Sequence, residues 1–281
     1  MSRIPYSIRH GLNKNAKGFG LFDTLQLFCD AFDDLKEQGY THEYFGFYCI
    51  DEDEVRGKIS NIEREIKLVL RKSNLWPIYS TGVGSWKEDD LFDMMEFLYD
   101  RVSKPLTGSH HSYGDCGMHW VTFDAQKGKE HFVQKMNDVL LTYEKPFIMS
   151  ADGLIMRRAP DGLEQIFDAK LPSEDNSVLG RVKAATNAYR RYGASIDDRR
   201  HAVSDLAGVL ELLRPKMRDV ITKADEADLF NIANNFEIRH QNDKQKNDYD
   251  AAIWLSWMFY FYLSTIHLML RRLANEPKQQ L

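Results

Sequence analysis

A long apolar segment near the end of the chain restricts the possible folds more than any other feature. Residues 249–270 read YDAAIWLSWMFYFYLSTIHLML and form an almost continuous apolar helix pattern. Such a helix is buried in a bundle or at a dimer seam, or it crosses a membrane. In a membrane, Trp257 and Tyr260 would lie at mid-depth, although Trp and Tyr favour bilayer interfaces, and His267 would add a cost. We therefore predict a core helix, with Trp254 and Trp257 in the core, and no membrane partner.

Length and cysteine content set the broad class. The 281 residues allow one large domain or two smaller ones. Cys29, Cys49 and Cys116 are too few and too scattered for a disulfide framework, and the first residues lack the apolar core of a secretory signal. These features predict a cytoplasmic protein.

The apolar periodicity predicts a mainly α-helical chain with two domains. The first, residues 1–158, has predicted helices at 22–37, 51–72, 85–102 and 129–143, the third opened by a capping box from Ser85 to Glu88. A β-hairpin is predicted around Asp152-Gly153. Residues 159–177 form an exposed connection, and residues 178–281 form a four-helix bundle. Its predicted helices span 178–192, 199–213 (stopped by Pro215), 227–236 and 248–274.

The polar stretch, residues 234–245, is the first candidate site. It places the fixed cation Arg239 beside His240, which titrates near neutrality, among several amide side chains. That combination suits a phosphodiester substrate. The structural alternative is that these side chains bond neighbouring backbone and acidic groups.

Basic side chains of the second domain are a candidate RNA-binding face. The chain has a net charge of −5, yet arginines and lysines are clustered after residue 176. The predicted RNA contacts are the basic quartet Arg190, Arg191, Arg199 and Arg200. The alternative is a solvated helix surface paired with Asp197, Asp198 and Asp205.

The second domain resembles the HEPN superfamily of helical bundles, which includes many toxin and phage-defence ribonucleases. The resemblance rests on residues 205–211 (DLAGVLE), on Asn234-Asn235 with residues 238–243 (IRHQND), and on the aromatic terminal helix. Residues 90–100 and 129–157 resemble the N-terminal domains attached to HEPN modules in AbiJ-type abortive-infection proteins. The resemblance implies a phage-defence effector with an endoribonuclease activity that needs no metal or other cofactor.

HEPN ribonucleases cut RNA by attack of the ribose 2′-OH on the adjacent phosphorus. In this chain the resemblance implies that His240 moves a proton and Arg239 holds the phosphorane, oriented by Asn235, Asn242 or Asp243. Glu211 could pair with Arg239 and orient its guanidinium. The resemblance also implies a homodimer through the bundle, with an antitoxin or a phage trigger as possible further partners.

One departure from the HEPN pattern leaves a second function open. The usual signature has a histidine four to six positions after the arginine, whereas His240 directly follows Arg239. Either His240 replaces the displaced histidine, or the bundle has kept the fold without the activity. In the second case the protein is a non-catalytic RNA- or protein-binding module that acts as a sensor or inhibitory subunit.

The second candidate site is residues 110–119 (HHSYGDCGMH), which have the histidine and cysteine content of a metal site. The Cys-x-x-His spacing of Cys116 and His119, with His111 nearby, makes these three residues zinc candidates. The set lacks a second cysteine pair, so the favoured interpretation is a loop whose histidines hydrogen-bond around a buried cysteine. A zinc-stabilised nucleic-acid-binding protein is the third function class.

Overall fold

The computed structural model describes residues 5–14, 16–160, 162–217, 222–225, 227, 228, 231 and 250–275. The chain divides into two compact units, Met1–Met156 and Arg157–Leu281. The described residues are mainly helical, and their strands pair into three two-stranded sheets. The predicted mainly-α class is confirmed.

The first unit contains six helices and six strands among its described residues, the last strand ending just past the division. The helices are α1 (Tyr6–Arg9), α2 (Leu21–Glu37), α3 (His42–Phe45), α4 (Ile62–Leu70), α5 (Glu88–Tyr99) and α6 (Ala125–Leu140). The strands are β1 (Phe47–Cys49), β2 (Asp53–Val55), β3 (Lys104–His111), β4 (Gly117–Asp124), β5 (Phe147–Met149) and β6 (Ile155–Arg157).

Amphipathic helices form the core of the first unit. Helix α2 buries Phe28 and Leu35 on one face, and α6 packs against it with Phe132 and Met136. Apolar residues three, four or seven positions apart share one side of a helix, so these residues face the core together. The predicted hairpin around Asp152-Gly153 is present as β5 and β6, with Gly153 at φ +82° in the turn.

The helix predicted at residues 51–72 is wrong in its first half. Residues Asp53–Val55 pair with β1 as strand β2, and Asp53 adopts φ +57°. Gly57 follows, where a Cβ would lie 2.4 Å from backbone atoms of Tyr44. The helix begins at Ile62, because Asn61 caps it by accepting a hydrogen bond from the Arg64 amide at 2.8 Å. Acidic residues at 51–54 suited a helix start, but no apolar periodicity accompanied them.

The predicted capping box is displaced. Ser85 lies in a short 3-10 turn, and α5 begins at Glu88 with Lys87 as the N-cap. The Asp90 carboxylate accepts a hydrogen bond from the Lys87 amide at 2.8 Å, which is the contact expected of the acidic partner in a capping box.

The second unit contains helices α7 (Gln165–Asp168), α8 (Asn176–Arg190), α9 (Ile196–Met217) and α10 (Ala251–Asn275). Helix α9 continues one turn beyond the predicted stop and includes Pro215. The segment predicted as an exposed connection contains α7, from which Ile166 and Phe167 pack against the bundle core. The predicted helix at residues 227–236 falls largely outside the described residues.

Helix α10 is the central element of the second unit. It is long and apolar enough to cross a membrane by length and composition. However, α10 packs against α9 and contributes Phe259, Tyr262 and Ile266 to a core shared with α8 and α9. This is the packing expected of a helix that lies against a bundle core. The prediction that Trp254 and Trp257 are core residues is wrong, since they are 38% and 44% exposed.

Candidate metal centre

The first hairpin supplies one buried thiol. Cys49 ends β1 and pairs with Asp53 of β2. Side chains alternate along a strand, so Cys49 points inward and is 1% exposed, whereas Tyr48 points to solvent. The chain reverses between these strands through residues 50–52, which places Asp51 at the tip of the hairpin.

The second hairpin supplies two imidazoles on one face. His111 pairs with Gly117, and Ser109 pairs with His119. Ser109 and His111 are two residues apart on β3, so their side chains lie on the same face of the hairpin. His119 lies opposite Ser109 on that face and is therefore the diagonal neighbour of His111. Their ring centroids are 5.1 Å apart. His110 is directed to the opposite face by the same alternation.

The turn of the second hairpin brings in a second thiol. Residues 113–115 form a 3-10 turn, and Gly114 and Gly117 adopt φ +60° and +85°. These left-handed conformations favour glycine and fold the loop back over the hairpin. Cys116 therefore faces His119, with Sγ 3.1 Å from Nε2.

Four potential metal ligands converge between the two hairpins. The ligand atoms of Cys49, His111, Cys116 and His119, here called the Cys2His2 cluster, all lie within 4.8 Å of one another. Cys49 Sγ is 3.8 Å from Nδ1 of His111. Tetrahedral zinc with ordinary Zn–S and Zn–N bond lengths separates its ligand atoms by about 3.3–3.8 Å. Small side-chain rotations therefore bring the cluster to zinc geometry.

Asp51 holds one of these imidazoles in the orientation that coordination requires. Its Oδ2 lies 3.1 Å from Nε2 of His111. We assign the ring proton to Nε2, which donates to this carboxylate and leaves the Nδ1 lone pair facing Cys49. A carboxylate behind a metal-binding histidine is the common outer-shell arrangement, because it fixes the tautomer and raises the basicity of the ligand.

A neighbouring histidine is outside the ligand set. His42 stacks on Phe47 with centroids 4.9 Å apart, and Phe47 in turn contacts His119 at 4.8 Å. Burial lowers the pKa of His42, so its ring is neutral at physiological pH. The two rings, His42 and Phe47, form an uncharged wall beside the cluster.

The cluster has the composition of a structural site. Catalytic zinc keeps an open position beside three protein ligands, whereas four protein ligands close the coordination sphere. The location of the cluster also fits a structural role, because isolated two-stranded hairpins are at most marginally stable. Most residues of β3 and β4 are at least partly exposed and add little to the apolar core. A metal bound here would tie the two hairpins together.

His111, Cys116 and His119 are the three zinc candidates named from the sequence, where a loop with local hydrogen bonds was the favoured interpretation. The structure brings these three residues together and adds Cys49 to the set. Cys49 lies on a different hairpin, and no local spacing links it to the other three. The pairing of β3 with β4, which sets the two histidines on one face, was also absent from the predicted elements.

The basic quartet does not form one free cationic surface. Arg190 is buried, donates from Nε to the Arg157 carbonyl at 2.9 Å and lies 4.0 Å over the Phe167 ring. Arg191 pairs with Asp198 at 3.2 Å, and Arg200 pairs with Asp197. Arg199 lies on α9 beside Arg200, and its guanidinium is 5.8 Å from the ring of Tyr189. These contacts favour the alternative of a paired helix surface, and Arg190 serves the packing of the second unit.

Of the catalytic residues that the HEPN resemblance implies, the structure describes Glu211. Asn235, Arg239, His240, Asn242 and Asp243 lie outside the described residues. Glu211 is partly buried on α9, with Oε2 3.7 Å from Nη1 of Arg214. Its predicted partner, Arg239, lies outside the described residues.

Comparison with protein-family models, with curated proteins and with solved structures finds no match for this chain. The likeness to HEPN modules and AbiJ-type N-terminal domains stays a prediction.

Proposed function

We propose that the first unit is a zinc-binding module in which the Cys2His2 cluster holds a structural Zn²⁺. The observation that carries this proposal is the convergence of four ligand atoms from two separate hairpins to within 4.8 Å. Two thiolates and two imidazoles in a tetrahedral arrangement suit Zn²⁺, whereas Mg²⁺ and Ca²⁺ need oxygen ligands. Asp51 supports the set through His111.

Purified protein is expected to contain about one zinc per chain. Elemental analysis of protein produced without an affinity tag measures this content. Replacement of zinc by Co²⁺ then gives thiolate-to-metal absorption together with the strong visible bands of a tetrahedral site. Cys29→Ser is the matched control, because Cys29 lies on α2 outside the cluster and its loss leaves the metal bound. A metal-free protein that takes up neither ion contradicts the proposal.

We also propose that the second unit acts on RNA in the cytoplasm as a HEPN-like bundle, in a phage-defence role. The support is a long aromatic helix packed against α9 in a core shared with α8, with the polar stretch just before it. Ile253 and Trp257, which are 66% and 44% exposed on α10, provide an apolar face for a second copy of the chain. The alternative is that the same bundle binds RNA or protein without cleaving it.

Arg239→Ala and His240→Ala are each expected to reduce RNA cleavage by ~10²-fold or more, the usual scale for losing an acid–base or electrostatic contribution. The zinc-loaded protein is incubated with total RNA in Mg²⁺-free buffer, because a strong chelator would also strip the cluster. Cyclic-phosphate ends identify attack by the 2′-OH. Arg239→Lys should retain RNA binding but lose most cleavage, since lysine lacks the planar fork of arginine.

The control for this series is Arg272→Ala, which removes an exposed positive charge at the other end of α10. It is expected to cleave as well as wild type. Alanine variants of Arg239 and His240 that also cleave normally would show that the active-site assignment is wrong. Intact RNA that is bound by wild type would instead favour the binding module.

A further inference from the structure

The two thiols of the Cys2His2 cluster differ in their access to solvent. Cys49 is fully buried at the end of β1. Cys116 is only partly buried and lines a cleft of about 380 Å³, whose wall also includes Lys36, Phe47, Tyr48 and Trp120. A small solute that enters this cleft therefore reaches one sulfur of the cluster while the other stays covered.

The remaining cysteine provides an internal contrast. Cys29 is buried in the helical core on α2, and burial, reinforced by the negative charges of Asp33 and Asp30, raises its pKa to about 11. A thiol reacts with oxidants through its thiolate, so Cys29 is expected to react slowly with oxidants at neutral pH. Zinc, in contrast, holds its cysteine ligands as thiolates.

We propose that the zinc centre is an oxidation-sensitive switch that responds to hydrogen peroxide through Cys116, a proposal that rests on the zinc site proposed above. The Cys116 thiolate attacks one peroxide oxygen, the O–O bond breaks, hydroxide leaves, and Cys116 becomes a sulfenic acid. The Cys49 thiolate then attacks the Cys116 sulfur, expels a second hydroxide and forms the S–S bond. Two thiolates lose two electrons in total, which reduce one peroxide to two hydroxides.

The geometry of the cluster favours this closing step. The two sulfur atoms lie within 4.8 Å of each other, so side-chain rotation can bring them to bonding distance. A disulfide offers no thiolate to zinc, and His111 and His119 alone form too small a ligand set for a structural site. The metal is therefore released, while the disulfide keeps the two hairpins joined until a thiol reductant reopens it.

The test uses the full-length zinc-loaded protein and hydrogen peroxide. Free zinc is followed with a chromogenic chelator, and intact mass is measured after alkylation. Wild type is expected to lose one equivalent of zinc per chain and, after alkylation under denaturing conditions, to carry one alkyl group where the reduced protein carries three. The disulfide should map to Cys49 and Cys116. Dithiothreitol with added zinc should restore the starting metal content.

Two variants sharpen the result. Cys29→Ser should release zinc as wild type does. Cys116→His keeps four ligands but removes one sulfur of the disulfide, so it should retain its zinc under the same peroxide exposure. If that variant binds no zinc, the mapped disulfide in wild type still decides the proposal.

The two proposals fail in different ways. Absence of metal before peroxide is added overturns the zinc site itself. Bound zinc that is retained under peroxide overturns only the switch. A disulfide that includes Cys29, or overoxidised Cys116 with Cys49 still reduced, overturns the switch as well.

Discussion

Cys49→Ser is expected to remove zinc from the protein and to lower the melting temperature of the first unit by roughly 10 °C. A ligand at roughly 1,000 times its dissociation constant stabilises the state that binds it by about 4 kcal/mol, and this contribution disappears with the metal. Serine is close in size to cysteine but does not form a stable bond to zinc at neutral pH, so the variant tests coordination more than packing. Calorimetry with and without added zinc measures the change.

The structural consequence is expected to be local. The apolar core on α2, α5 and α6 does not include the cluster, so these helices should stay folded. Amides of β3 and β4 should exchange with solvent faster, because every residue of these two strands is at least partly exposed. Cys29→Ser is the matched substitution, and it should leave both zinc content and hairpin exchange unchanged. Loss of the helical structure of α2 in the Cys49 variant, at temperatures well below its melting temperature, would contradict a role confined to the hairpins.

Local sequence signals were sufficient to predict most of the helices. Helix α2 and helix α6 have apolar residues at helical spacing, and both lie close to the predicted ranges. Helix α4 shows the limit of charge patterns, because the acids at residues 51–54 belong to the tip of a hairpin and to its second strand, β2. The helix starts only where Asn61 provides a cap and Ile62 and Ile66 provide an apolar face.

The metal centre could be predicted only in part, for a physical reason. Cys116 and His119 are near each other in sequence, so their spacing makes them a candidate ligand pair but does not by itself favour a metal over a hydrogen-bonded loop. His111 joins them through the register of β3 and β4, which sequence analysis did not anticipate, since polar and glycine residues weaken the strand pattern. Cys49 joins them only through the tertiary packing of two hairpins. A long-range contact of this kind leaves no periodic signal in a single sequence.

For the aromatic helix α10, the sequence predicted more burial than the structure has. Its composition indicated a fully buried helix, and the structure does bury Phe259 and Tyr262. Two tryptophans on the same helix are partly exposed, because the described bundle covers only part of its circumference. Composition indicates how apolar a helix is, but the position of each side chain around the helix axis determines whether it reaches the core.

Phe259→Ala and Trp257→Ala are expected to differ in their cost to folding, although both delete a large ring from α10. Phe259 is fully buried and stacks on Tyr189 with centroids 3.8 Å apart, so its removal leaves a cavity and should cost ~3–5 kcal/mol. Trp257 contacts Phe261 on a partly exposed face, and its truncation should cost about 1 kcal/mol or less in an isolated chain. Denaturant unfolding of the second unit compares the two variants.

Protein concentration separates the packing of Trp257 within one chain from contact with a second copy. If two copies meet at this face, Trp257→Ala should shift the mass measured by light scattering towards the monomer while the helical content persists. Phe259→Ala should lower stability at every concentration, because Phe259 packs within its own unit. An equal cost for both variants at concentrations where wild type is monomeric would show that Trp257 is covered by its own chain, and the apolar face would then be unsuited to a dimer seam.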